Sequence, residues 1–422
     1  MKVAVIGSGG REHAIALTIS KSKNLSELYC IPGNPGTKNF ANNVQLNTNQ
    51  SESIVQFSID NQIDLVVIGP EQPLVDGLSD ELRRNNIKVF GPSSEAAKIE
   101  SSKSFAKKIM NEANVPTSKY REFTSSEIDD AKKYLSTCNF PIVIKADGLA
   151  AGKGVVICRD LDEALDNLFK ITINKVFGDA GNKILVEEFL NGEEASVFAI
   201  TDGKIFITLP AAQDHKRVGD NDTGKNTGGM GAYAPTPLIT PELELVIQQK
   251  IIKPVIDQLN KAGIPFIGCL YAGLMITADG PKVIEFNCRF GDPETQVVLP
   301  LLDGDFLEIL YSAAAGKLNS NAVKYNGGSA VCVVAASKGY PDRYEKGFQI
   351  SGLDIEDPEI IIYHAGTVEK DGQIVTKGGR VLGITAVLRE NNIRNARNKV
   401  YEVLKKIRFK NIYYRNDIAL KA

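Results

Sequence analysis

Lys282-Val-Ile-Glu-Phe-Asn-Cys-Arg-Phe-Gly-Asp-Pro-Glu294 is the stretch on which the reading of this chain turns. Apolar and polar residues alternate through it, as in a strand with one packed face and one open face. A period of two puts Glu285 and Asn287 on one face and Ile284, Phe286 and Cys288 on the other. Arg289 continues the polar face if the strand persists that far. A carboxylate and an amide oxygen side by side are hard donors of the kind Mg²⁺ accepts. The plainer alternative is an edge strand facing water. Such a face more often carries Lys, Thr or Ser than a Glu-Asn-Arg row running into Gly-Asp-Pro-Glu.

Working outward, the next informative segment is Pro141-Ile-Val-Ile-Lys-Ala-Asp-Gly-Leu-Ala-Ala-Gly-Lys-Gly-Val-Val-Ile157. Its Gly148–Lys153 part is one residue short of a Walker loop, and Gly154 stands where a Ser or Thr would hold magnesium. An apolar strand follows, so no helix N-terminus receives a phosphate. What remains is a strand–Gly loop–strand hairpin with Lys145 closing the first strand. Glycines let backbone amides approach phosphate oxygens, and a lysine adds a point charge.

Two further segments carry polar chemistry. Gln213-Asp-His-Lys-Arg217 precedes Asn226-Thr-Gly-Gly-Met-Gly-Ala-Tyr233, a charge cluster beside a glycine-rich cradle. Gly7-Ser-Gly-Gly-Arg-Glu-His13 follows the first strand and looks like half a dinucleotide fingerprint, with Glu12 in place of the third glycine. The second strand ends Tyr29-Cys-Ile-Pro32 without an acid for a ribose hydroxyl, which weakens a nicotinamide reading. Gly9, Gly10 and the helix start still suit a phosphate. His13 and His364 read as structural.

The first hundred residues alternate strands (Lys2–Ile6, Glu27–Ile31, Asp64–Ile68, Ile87–Phe90) with helical stretches, which predicts a parallel, doubly wound sheet. Its ligand loops at Gly7–Arg11, Gly33–Thr37 and Gly69–Gln72 lie at the carboxyl ends of strands. After a polar helix around Ser101–Asn111, strand pairs replace the alternation. Asp214–Pro237 reads as a long loop, Pro241–Ala262 as a helix, and a third unit opens after Asn326-Gly-Gly328. The expected domains are 1–101, 102–325 with a flap at about 121–190, and 326–422.

Acidic and basic residues nearly balance, 51 against 49, so no global field points to nucleic acid or an anionic membrane. No apolar run is long enough to span a bilayer, and the amino terminus lacks a signal-peptide core. The six scattered cysteines read as buried free thiols in a reducing cytoplasm.

Together these segments resemble the ATP-grasp enzymes, and within them the phosphoribosylamine–glycine ligase family. The resemblance rests on Gly7–His13, Pro32–Thr37, Gly69-Pro-Glu71, Lys145–Gly154, Gln213–Arg217, Asn226–Tyr233 and Arg289–Glu294, and runs the length of the chain in order. It implies an α/β and α+β multidomain fold: an N-terminal Rossmann-like domain, an ATP-grasp domain with a mobile flap, and a small C-terminal α+β domain. It implies ligation of glycine to 5-phosphoribosylamine, driven by ATP through glycyl phosphate, in purine biosynthesis. No enzyme nucleophile is needed, and the sequence carries no Ser-His or Cys-His signature.

Carried over by position, Lys103 and Lys145 would contact ATP phosphates under the loop Gly148, Ala151, Gly152, Lys153 and Gly154. Glu187, Glu188 and Leu190 would lie at adenine and Glu194 at the nucleotide ribose. Glu285 and Asn287 would hold Mg²⁺, with Mn²⁺ as a substitute. Arg289 would take the glycine carboxylate, Asp214 would orient an amine, and Lys216 would help bind substrate. Gly9, Gly10, Asn34, Gly36 and Thr37 would sit near the ribosylamine phosphate. The resemblance further implies a monomeric, stand-alone ligase with small-molecule partners only.

Overall fold

The computed structural model describes residues 1–149 and 154–422. Lys2–Gly7 forms the centre of a five-stranded parallel sheet, flanked by Glu27–Pro32 and Leu65–Ile68, with Asn42–Asn43 and Lys88–Phe90 at the edges. The four expected strands are present within one residue at each end. The three expected ligand loops therefore emerge side by side. Glu12 fills the space between two of them so closely that a Cβ on Gly7 or Gly69 would collide with its side chain. The bulk of Glu12 therefore requires glycine at positions 7 and 69.

The middle of the chain builds two antiparallel four-stranded sheets. The smaller runs Tyr120–Thr124, Lys183–Glu188, Ile142–Ala146, Val155–Cys158, and packs on the helices Ile128–Leu135 and Leu161–Thr172 around their own apolar core. The larger runs Phe206–Thr208, Glu193–Asp202, Ile267–Thr277, Gly280–Asn287. One apolar core joins this sheet to the N-terminal one, with Val197, Leu270 and Phe286 in the same cluster as Ala4, Val66 and Ala97. The expected helix at 241–262 forms as Pro241–Ile247 and Lys253–Lys261, joined through a π turn at Gln248–Ile252.

The segment 214–237 differs from the long loop expected of it. Gln213–Asp214 and Gly231–Ala234 pair with each other, and Gly231–Ala234 adds to the strand Ser329–Ser337. Arg217–Gly219 and Thr223–Asn226 form a hairpin between them. The sheet continues through Arg380–Leu388 to Ile360–His364, covered by the helix Ile393–Leu404. A ready partner strand overrides the poor strand propensity of a Gly- and Asn-rich segment.

All six cysteines are free; five are buried and Cys138 is half-buried. Among the described residues no helix is long and apolar enough to cross a membrane.

Candidate active site

The strand Gly280–Asn287 carries a bulge where its pairing steps from Gly273↔Glu285 to Leu274↔Val283. The extra residue shifts the alternation, so Val283, Phe286 and Cys288 enter the core while Ile284 does not. The expected grouping of Ile284 with Phe286 and Cys288 fails for this reason. Glu285 and Asn287 stay together on the other side of the bulge. Among the described residues neither the Glu285 carboxylate nor the Asn287 amide has a hydrogen-bond partner. Arg289 lies beyond the strand end at Asn287.

The carboxylate of Glu285 is surrounded by cations. Burial opposes its ionisation, yet Lys216, Lys145, Lys103 and Arg289 together hold its pKa below the usual carboxylate range. Lys145 Nζ donates to the Ile284 carbonyl at 3.0 Å and pairs with Glu187 Oε2 at 3.0 Å. Glu187 is buried, and its Oε2 also takes Lys107 at 3.3 Å and the Ser118 hydroxyl at 2.5 Å. Its Oε1 is buried without a partner. Lys103 Nζ donates to the Gly148 carbonyl at 3.0 Å, and burial with Lys145 nearby lowers its pKa. Asp147 holds this corner by accepting from the Ser104 amide at 3.1 Å. Glu188 accepts the Lys119 amide on its carboxylate at 3.0 Å and donates its own amide to the Lys119 carbonyl at 2.9 Å. Leu190 is half-buried in the link to the next strand. Gly154 closes the hairpin through its carbonyl to Ala146 N at 2.8 Å. Ala151, Gly152 and Lys153 lie outside the described residues.

A second group gathers on Lys216. Its ammonium meets Glu194 at 2.6 Å and Glu285 at 4.0 Å. Burial pulls its pKa down, but Glu194, Asp214 and Glu285 outweigh that and hold it well above the ordinary value. Asp214 shows the reverse balance. Burial, with Glu294, Glu194 and Glu285 nearby, pushes its pKa up to about 8 against the pull of Lys216. Glu294 is buried and accepts from Ser196 at 3.3 Å, and Ser196 in turn bonds Tyr271 at 2.8 Å.

Arg289 is caged by Glu71 at 3.2 Å and Glu100 at 3.0 Å. Both are acids of the N-terminal unit, Glu100 on its last helix, Ser94–Ser101. Burial raises the Glu100 pKa even though Arg289 opposes it, and Glu100 also accepts the Cys288 amide at 2.7 Å.

The N-terminal loops are bonded largely to themselves. Glu12 accepts the Gly9 amide at 2.7 Å, and Asp292 accepts the Arg11 amide at 3.4 Å, so two of the helix-start donors expected to hold a phosphate face carboxylates instead. Gly10 packs against Gln296. Asn34 donates to the carbonyls of Ser8 and His364 and accepts from Gly36 and Thr37. The Thr37 hydroxyl bonds Asn34 and Asn43. The side chains of Asn34 and Thr37 therefore shape the loop rather than point free donors outward. Gly36 leaves room for His13 and His364, where His13 Nδ1 accepts the His364 amide at 3.0 Å. Both histidines are structural here.

Sequence reasoning missed Arg380, which reaches from the third sheet to the carbonyls of Gly228 and Asp292 and pairs with Asp292 at 3.3 Å. It also missed the cage partners Glu71 and Glu100. Glu71 stood inside the Gly69-Pro-Glu71 motif, the one signal that pointed to it.

A metal would fit this site only in part on protein donors. Among the described residues no three His, Cys, Asp or Glu side chains form a metal cage. Glu285, met only loosely by Lys216 at 4.0 Å, and Asn287 offer two oxygens without hydrogen bonds among the described residues, a donor set suited to Mg²⁺ that takes its remaining ligands from phosphate and water.

The fold and these side chains define the class: a three-domain ATP-grasp protein. Residues 1–100, 101–295 and 330–421 match, in that order, the N, ATP-grasp (A) and C domains of phosphoribosylglycinamide synthetase. The chain belongs to that family. It is 49% identical over 419 residues to the phosphoribosylamine–glycine ligase of Caldanaerobacter subterraneus subsp. tengcongensis, with 99% of each chain covered. It is 44% identical over 426 residues to the trifunctional purine biosynthetic protein adenosine-3 of Gallus gallus, covering all of this chain and 42% of that one. Among solved structures, the phosphoribosylamine–glycine ligase of Thermotoga maritima superposes with a TM-score of 0.86 at 34% identity, covering 99% of this chain and 100% of that one. The biotin carboxylase domain of Hydrogenobacter thermophilus 2-oxoglutarate carboxylase reaches 0.75 at 17% identity, covering 98% and 91%, and shares the fold alone.

Proposed function

We propose that this protein joins glycine to 5-phosphoribosylamine at the expense of ATP, giving glycinamide ribonucleotide, ADP and phosphate in purine biosynthesis. A glycine carboxylate oxygen bonds the γ-phosphorus as the bridge to the β-phosphate breaks, forming glycyl phosphate. The ribosylamine nitrogen then bonds the acyl carbon, phosphate leaves, and the nitrogen loses a proton. The reading is carried by the loosely held Glu285–Asn287 donors between Lys145 and the Lys216 group, in a chain 49% identical to a ligase of that name.

In this reading Lys103 and Lys145 offset phosphate charge, under the loop Gly148–Gly154. The buried Oε1 of Glu187 and the carbonyl of Glu188 face adenine, with Leu190 beside it. Glu194 serves the nucleotide ribose. Glu285 and Asn287 would hold Mg²⁺, or Mn²⁺ in its place, which when bound would draw charge from the terminal phosphates. Arg289 receives the glycine carboxylate, while Asp214 and Lys216 orient the amine. The phosphoribosyl group lies against Gly9, Gly10 and the turn Asn34–Thr37, whose internal hydrogen bonds fix the shape of the surface it meets. Six free thiols fit a cytoplasmic enzyme, and we take it to act as a monomer.

A carboxylase reading has only the shared fold in its favour. ADP release measured with each substrate alone and in combination decides between them. We expect release to require glycine and 5-phosphoribosylamine together; full turnover with bicarbonate or D-alanine overturns the proposal.

A further inference from the structure

Asp214 reaches the site from the end of the strand Gln213–Asp214, and Lys216 from the two-residue link, His215-Lys216, between that strand and the hairpin formed by Arg217–Gly219 and Thr223–Asn226. The Lys216 carbonyl is held on one side by the amide and hydroxyl of Thr227, at 2.8 and 2.9 Å. On the other side the neighbouring peptide is held from the far end of the sequence. Arg415 Nη1 donates to the Arg217 carbonyl at 3.0 Å, across 198 residues.

The hairpin turns on Asn221 and Asp222, consecutive side-chain-bearing residues with φ of 57° and 54°. Left-handed backbone at two such residues in a row persists only where surrounding structure imposes it. Residues 413–421 impose it. Asp417 accepts the Asn221 amide at 2.8 Å, and Arg415 and Lys421 pair with the two oxygens of Asp222 at 3.0 and 2.9 Å. Asn416 bonds Asp220 through both its nitrogens, at 2.8 and 3.0 Å, and the Tyr413 hydroxyl donates to the Val218 carbonyl at 2.8 Å. Asp417 grips Arg415 from two sides, at 2.7 and 2.6 Å. The Arg415 side chain is 1% exposed, so a guanidinium has been buried with every ring of partners in place.

A buried, fork-bonded arginine is more than this exposed hairpin needs for solubility or packing, and its bond to Arg217 lies one peptide from Lys216. We propose that Arg415 is a positioning residue, a latch that fixes the Arg217–Asn226 hairpin and thereby sets how Lys216 and Asp214 enter the substrate site. The latch stands on its own geometry; the part played by Lys216 rests on the function proposed above.

The test compares wild type with Arg415→Lys, which keeps the charge and loses the fork, and with Asn416→Ala, which loosens the latch without uncovering a buried charge. KM is measured separately for ATP, glycine and 5-phosphoribosylamine, beside hydrogen exchange of the amides at 214–218. In Arg415→Lys the KM for glycine or for the amine is expected to rise about tenfold or more, with that for ATP within about threefold, because a misplaced group costs binding where it acts. Asn416→Ala is expected to follow in the same direction and less far. Faster exchange at 214–218 accompanies both. Unchanged KM values with kcat falling only as folded protein is lost would overturn the latch. If wild type itself shows no turnover with these substrates, the functional reading fails, and the exchange rates alone decide the latch.

Discussion

Arg289 and Lys216 are two cations that share the neighbourhood of Glu285, and the protein holds them in opposite ways. Arg289 is closed in on its inner side: its side chain is 17% exposed and the Glu100 partner only 7%, with Glu71 at 35% on the outer side. Lys216 is open: its side chain is 30% exposed, and Glu194 and Glu285 are 41% and 38%. The planar fork of an arginine fits two carboxylates in fixed directions, whereas an ammonium is a point charge that trades partners. Arg289 therefore ties the N-terminal unit to the strand end as a rigid frame. Lys216 sits among more carboxylates than it can neutralise, and burial, reinforced by those neighbouring charges, pushes Asp214 up to about 8.

Four experiments break or sharpen this contrast. The largest effect is expected at the shared neighbour. Glu285→Gln should cut turnover by more than the roughly 10–100-fold typical of a metal's outer-shell partners. Its thermal midpoint should barely move, since the carboxylate is partly exposed and pairs only loosely. Near-normal turnover would remove Glu285 from metal binding. Next, Arg289→Met strands the buried Glu100 and should cost about 3–5 kcal/mol in urea unfolding. A loss under about 1 kcal/mol, the worth of an exposed pair, would show the closed cage to be loose.

Lys145→Ala should raise the KM for ATP about 10–100-fold, as loss of a charge-assisted contact predicts, and leave that for glycine nearly unchanged. The opposite split would move Lys145 out of the nucleotide site. The smallest effect tests the open cage. Asp214 binds its proton more tightly when folded, so its contribution to stability is complete below about pH 4 and disappears as pH rises through about 8. Asp214→Asn removes that dependence. Urea midpoints at pH 5, 7 and 9 should show the variant gaining on wild type as pH rises, and parallel curves would mean Asp214 is ionised throughout.

Much of this was legible before any coordinates. The four N-terminal strands, the glycine hairpin after Lys145 and the Glu285–Asn287 pair all announce themselves by local period and punctuation. What was misread has a common cause. The bulge at Ile284 is invisible where two apolar residues, Val283 and Ile284, stand together. The segment 214–237 is poor in strand formers; Gly231–Ala234 becomes a strand on the edge offered by Ser329–Ser337, and the rest pairs within the segment. Asn34 sends its side-chain amide to the carbonyls of Ser8 and His364, 26 and 330 residues away, partners that nothing local announces.

The sequence by itself thus determined the elements and the kinds of chemistry on them, because strand alternation and loop glycines act within a few residues. Only the tertiary structure decided which charges meet. Glu71 and Glu100 lie 218 and 189 residues from Arg289, and Arg380 lies 88 residues from Asp292. The same is true of Glu285. Its two-residue spacing from Asn287 was written in the strand, but its pKa is set by Lys216, Lys145 and Lys103, brought from three separate elements, because electrostatic energy depends on distance in space and burial rather than on order along the chain.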